Sequence, residues 1–224
     1  MLATVMITPP WPAEPYHLAC PHATSHELCS RLGNSTAALA SDCAEPEPET
    51  VEVLTSFLLG CRSRDCLYVD IGCNLGYLAA AAAALGADVD CYEPAPYFVH
   101  AMKETIRLNG FGRVNVTQAA VYHPMIGRAQ ASNSPRVANG FVDVVGETYT
   151  PCGIGVEERR QLGGSNGNSF RFNAPAREIV GILAGRTITL LKIDIDSMDG
   201  ALLQAVVWLL RCCMGGWAYM GLHI

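Results

Sequence analysis

From Cys66 onward the chain alternates short apolar runs with longer segments of helical periodicity: CLYVDI, LGYLAAAAAAL, DVDCYE, PYFVHAMKETIRLNG and RVNVTQAAV. Strands that are apolar on both faces, joined by helix-length connections, predict a βαβαβ unit in a parallel sheet covered by helices. Right-handed crossovers then make the fold class α/β, with a doubly wound, mostly parallel sheet. Upstream, Val51, Val53, Leu54, Phe57 and Leu58 recur at near-helical spacing up to Gly60, predicting a helix packed on that sheet. Residues 123–174 break the rhythm with Gly, Asn, Ser and Pro, and read as a long loop insertion with a hairpin around GFVDVV. Regularity resumes with a helix over 175–184, the strand TITLLKIDI over 187–195, a helix over 199–213 and a last apolar run, WAYMGLHI. Residues 1–48 are rich in Pro, Ala, Ser, Cys and His and end in AEPEPET, which predicts an irregular extension ahead of a domain spanning 49–224.

Composition narrows the function classes. Half of the residues are hydrophobic and 16% are charged, with a formal net charge of −6. A mildly acidic chain without a Lys/Arg cluster lacks the electrostatic footprint of a nucleic-acid binder. The apolar stretches 78–87 and 201–210 fall short of the roughly 20 residues a membrane span needs, so no span is expected. The first residues, MLATVMITPPWP, carry no basic segment and predict no cleaved signal peptide. Of the ten cysteines, Cys66, Cys73 and Cys91 sit on or beside core strands and read as small buried hydrophobes that need no disulfide. Cys20, Cys29 and Cys43 could pair in an oxidising compartment, but the default expectation is a reducing, cytoplasmic one.

Three motifs carry candidate chemistry. In VDIGCNLGYL, Asp70 ends a strand, and Gly72, Asn74 and Gly76 form the turn into a helix. Gly72 and Gly76 permit a tight turn and close ligand approach, and the helix aims its N-terminus at whatever binds there. A dinucleotide fingerprint would want three glycines to bring a pyrophosphate against bare backbone; Asn74 and Tyr77 stand where the second and third would be, which favours an uncharged adenosyl ligand over NAD. Glu93, ending the next strand in CYEPAP, is positioned to accept from both hydroxyls of a ribose; alternatively it only starts the following helix. In LLKIDIDSMDG, Asp194 and Asp196 lie two apart at a strand's carboxyl end, and Lys192 shares their alternation. Asp194 would act as base or orienter in methyl transfer to a hydroxyl, with Asp196 beside it. Lys192 would polarise the acceptor or pair with a carboxylate.

With these motifs in order, the chain resembles the FkbM family of S-adenosylmethionine-dependent methyltransferases over roughly residues 66–210, through VDIGCNLGYLA, CYEPAP, NVTQAAVY and LLKIDIDSMDG. The resemblance implies a Rossmann-like methyltransferase fold and methylation of a hydroxyl on a small molecule or glycan. It assigns Asp70, Gly72, Asn74, Gly76 and Glu93 to S-adenosylmethionine, and faces Asp194 and Asp196 toward the methyl group. The family more often has KIDVEGAE at the last motif; here Asp196 and Ser197 replace Glu and Gly. Its fold continues past a fifth strand into a C-terminal hairpin. The chain stops within that strand, so it reads as truncated, with an apolar edge available for self-association.

Other readings stay open beside this one. A non-catalytic remnant would keep the cofactor turn as a binding or interaction module, and a nicotinamide oxidoreductase would lack its glycine fingerprint. No metal site is expected, although Asp194, Asp196 and Asp199 could hold a divalent cation. His17, Cys20, His22, His26 and Cys29 match no zinc pattern cleanly and read as surface histidines and idle thiols. Met102, Ile106 and Leu108 read as the buried face of the second helix.

Overall fold

A computed structural model describes residues 3–7, 14–20, 48–63, 65–123, 137–147, 169–195 and 202–207. The protein is an α/β structure around a four-stranded parallel sheet. Its strands are β3 (Leu67–Ile71), β4 (Asp88–Glu93), β5 (Val114–Gln118) and β10 (Leu190–Ile193), in the order β10-β3-β4-β5. Helix α1 (Pro48–Leu58) precedes β3, α2 (Tyr77–Ala84) connects β3 to β4, and α3 (Pro96–Asn109) connects β4 to β5. The order runs outward from β3 to β5 and then returns to β3's other side with β10. That reversal is compatible with a Rossmann-like sheet, a topology in which ligands bind at the carboxyl ends of the strands flanking the reversal.

Alternation along the strands divides the core into two layers. Tyr68, Val89, Cys91 and Leu190 face a cluster with Leu54 and Leu58 of α1, Ala79–Ala82 of α2 and Met102 of α3. Val69 and Ile71 face the opposite way, onto Ile179, Ile182 and Leu183 of a short helix α4 (Ile179–Leu183) and onto Leu202, Ala205 and Val206 of the helical residues 202–207. Helix α2 is apolar all round because both of its sides are covered; its run of small alanines lets it lie close to the sheet. Helix α3 starts with Pro96 and stops at Gly110, whose φ of 64° is left-handed.

The structure departs from the sequence expectation in four places. Within the stretch read as irregular, β1 (Ala3–Ile7) and β2 (Tyr16–Cys20) pair antiparallel, with Ile7 opposite Tyr16. Ile7, Tyr16 and Leu18 enter the core beside α2, and α3 satisfies backbone groups of β2. The Thr105 hydroxyl accepts from Ala19 N (2.9 Å), and the Asn109 amide accepts from His17 N (2.7 Å) and donates to His17 O (2.6 Å). These bonds cover an edge that would otherwise be left to solvent.

The predicted loop over 123–174 contains two strands, β7 (Val137–Ala138) and β8 (Phe141–Glu147), and the start of a third, β9 (Ser169–Glu178), of a second sheet in the order β6-β9-β8-β7, with β6 spanning Ala120–Tyr122. The hairpin expected around GFVDVV is present as β7–β8. Its turn residues Asn139 (φ 54°) and Gly140 (φ 80°) are both left-handed, as a two-residue hairpin turn requires. The helix expected over 175–184 is reduced to α4, because residues up to Glu178 stay extended between β6 and β8. Finally, Cys66 is not a free thiol: it forms a disulfide with Cys61 across a five-residue separation, while Cys73 and Cys91 are free and buried as expected. The terminal run 217–224, the proposed truncation and edge, and Cys29 and Cys43 lie outside the described residues.

Candidate functional site

The site assembles at the carboxyl ends of β3, β4 and β10, where the strand order reverses. Parallel register sets Lys192 of β10 opposite Asp70 of β3, on the same face of the sheet. The chain leaves β3 through Gly72 (φ 77°), Asn74 (φ 51°) and Gly76 (φ 76°), three left-handed residues that fold the turn back into the first residue of α2. Both glycines are also fixed by packing. A β-carbon at Gly72 would overlap the Asp194 carbonyl oxygen, and one at Gly76 would overlap the Met102 sulfur. The close approach these glycines allow is therefore made in part by the protein itself, with Met102 buried beneath the turn.

Glu93 is the hinge of the arrangement. Its side chain is buried, with 6% of the residue exposed. One carboxylate oxygen accepts from Asn74 N of the turn (2.9 Å), and the other accepts from Ala95 N at the start of α3 (3.0 Å). Burial pushes its pKa up from 4.5 to about 7; the two amides and the Lys192 charge offset only part of that cost.

Asp70 is more deeply enclosed, at 1% exposure. Its Oδ1 accepts from Lys192 Nζ (3.1 Å), and the buried Tyr68 hydroxyl on the same strand face also interacts with its carboxylate. Burial raises the Asp70 pKa, and Lys192 counteracts part of the shift. Lys192 Nζ also donates to Gly72 O (2.9 Å) and lies 3.4 Å from Asp194 Oδ2. Burial opposes its charge, but the Asp70 and Asp194 carboxylates outweigh that and hold the ammonium above its ordinary pKa. Beside them the Cys73 thiol, hydrogen-bonded to the Cys91 sulfur and buried, is held above its usual range.

Asp194 is the solvent-facing member, with 66% of its side chain exposed. Its backbone N donates to Ile71 O (3.0 Å), which locks the end of β10 against β3. The structure thus brings together seven of the residues singled out from sequence, namely Asp70, Gly72, Asn74, Gly76, Glu93, Lys192 and Asp194. Asp196 lies outside the described residues, as do Asp199, His22 and His26.

Sequence reasoning did not find the turn-to-helix bridge by Glu93, because its partners are backbone amides, nor Met102 as the floor of the turn. Among the described residues no group of three or more His, Cys, Asp or Glu side chains converges to hold a metal ion, and no helix is long and apolar enough to cross a membrane. A cavity of about 260 Å³ lies elsewhere, between Tyr16, Arg62, Ala84, Asn109 and Phe111, at the far ends of α2 and α3 from the turn. Comparison of the chain with models of known protein families, with curated proteins and with solved structures finds no match.

Proposed function

We propose that the chain is an S-adenosylmethionine-dependent methyltransferase of the FkbM type, acting on a hydroxyl of a small molecule or glycan. The observation that carries this reading is Glu93, a carboxylate at the carboxyl end of β4 that ties the left-handed turn 72–76 to the start of α3. The acceptor set suits an adenosyl ligand. Each Glu93 oxygen uses one of its lone pairs on an amide and keeps another for a ribose hydroxyl.

The cofactor, when bound, supplies an electrophilic methyl group. The chain's own residues supply orientation and charge. Glu93 and the turn amides would hold the ribose edge. Asp70 stands behind the turn with Lys192 as its counter-charge, which also holds Gly72 O at the start of the turn. Asp194, exposed beside that pair, would receive the proton of the acceptor hydroxyl. Lys192 is committed to Asp70, Gly72 and Asp194, which favours a role in positioning Asp194 over direct contact with the acceptor. Methyl transfer from labelled S-adenosylmethionine to a panel of hydroxyl acceptors tests the reading, with Asp194→Asn as the control. The variant should bind S-adenosylhomocysteine as the wild type does and lose turnover. Loss of both binding and turnover would give Asp194 a structural role, and absence of transfer to any acceptor would count against the activity.

A further inference from the structure

We infer that Glu93 is a proton-operated latch, which as a carboxylate joins the turn 72–76 to the start of α3 and presents acceptors to a vicinal diol, and which on protonation lets go of one side. The latch rests on geometry. Asn74 N and Ala95 N belong to two different elements, and each donates to a different oxygen of the one buried carboxylate, at 2.9 and 3.0 Å. A carboxylate accepts at both oxygens. A carboxylic acid keeps one good acceptor and turns the other oxygen into a donor, so the two amides cannot both stay well satisfied. The same proton removes half of the acceptor capacity that a diol needs.

Asp70 is the other buried carboxyl beside Glu93, also raised by burial, and Glu93→Gln separates the two. The charged and titratable groups acting on Glu93 are Asp70 and Cys73 from β3 and its turn, and Lys192 from β10; from α3 the contact is the Ala95 amide. Lys192 stays cationic and Cys73 stays a neutral thiol through the neutral range, since both are held above their ordinary values. Burial brings the Glu93 carboxyl to about 7, within that range.

The diol half of this inference rests on the cofactor reading above, whereas the latch itself does not. The experiment is a pH titration of the ¹⁵N-labelled full chain from pH 5.5 to 8.5, following the amide resonances of Asn74 and Ala95, with calorimetric titrations of S-adenosylhomocysteine at the same pH values. The latch predicts that both amides move with one shared midpoint in the neutral range and that neither does so in Glu93→Gln. Below the midpoint, S-adenosylhomocysteine affinity should weaken by up to about tenfold per pH unit. Amides that do not titrate, or that titrate with separate midpoints, overturn the latch, and the wild-type titration decides this even if the variant fails to fold. A movement that persists in Glu93→Gln overturns it as well, because another group is then responsible. S-adenosylhomocysteine binding that is the same at all pH values overturns the coupling to a diol. Absence of S-adenosylhomocysteine binding beside a shared amide midpoint would instead refute the cofactor reading and uphold the latch.

Discussion

Replacing Lys192 by Met should destabilise the fold by an amount that grows with pH. Lys192 is the charged partner of an Asp70 carboxylate that is only 1% exposed, and removing it leaves that carboxylate buried beside the neutral Tyr68 hydroxyl with no counter-charge. Breaking a buried pair from one side costs about 3–5 kcal/mol. An independent bound agrees with this. Asp70 can escape the penalty by taking up a proton, and for a carboxyl with an ordinary pKa of 3.8 that costs about 4 kcal/mol at pH 7, at 1.36 kcal/mol per unit. At pH 5 the same step costs only about 2 kcal/mol. The sign follows from linkage. In the variant the folded state holds the proton more tightly than the unfolded state, so stability is fully present below the unfolded pKa and is lost as pH rises.

Urea denaturation of Lys192→Met and wild type at pH 5 and pH 7 measures the difference. The double variant Asp70→Asn/Lys192→Met should recover much of the loss, because it leaves no buried charge. A deficit below about 1 kcal/mol at pH 7, or one that does not change with pH, would refute the view that this pair is buried and interdependent.

Other consequences can be checked in the same way. Gly76→Ala should lower stability by about 2–4 kcal/mol in urea denaturation, combining left-handed strain with the overlap on Met102, and Met102→Ala should relieve the second part only. Asn109→Ala removes the side chain that pairs with both backbone groups of His17, and should cost about 1–3 kcal/mol while making β1–β2 the first site cut in limited proteolysis. Burial of Glu93 raises its pKa from 4.5 to about 7, so its contribution to stability is fully present below pH 4.5 and is lost as pH rises through 7. The loss is about 3 kcal/mol, and stability curves for Glu93→Gln should be flatter by that amount.

The parts of the fold legible in the sequence were those where local pattern and tertiary environment agree. β3 is apolar where both faces are covered, whereas β4 and β5 keep polar residues such as Asp90 and Asn115 on a less covered side, and α3 begins at Pro96 and is capped by Gly110 as its sequence indicates. The glycine turn and Glu93 were legible because backbone conformation at Gly72 and Gly76 restricts residue type. Elsewhere composition masked the pattern. The prolines and small residues of 1–48 hid the alternation of Tyr16 and Leu18, which matters only because α2 and α3 cover that face. In 169–178 the run of Asn, Pro and Arg gives little local strand signal, and the segment is extended because β6 and β8 lie on either side of it. The Lys192–Asp70 pair needed the register of two strands separated by more than a hundred residues. The Cys61–Cys66 bond could not be chosen from ten cysteines by spacing.

Calorimetric titration of the purified chain with S-adenosylhomocysteine, with NAD as the control, decides whether the turn 72–76 with Glu93 binds an adenosyl ligand. Saturable binding of S-adenosylhomocysteine alone, weakened by about 1–3 kcal/mol in Glu93→Ala, is the predicted result. Binding of NAD, or no binding of either by a folded chain, would contradict it.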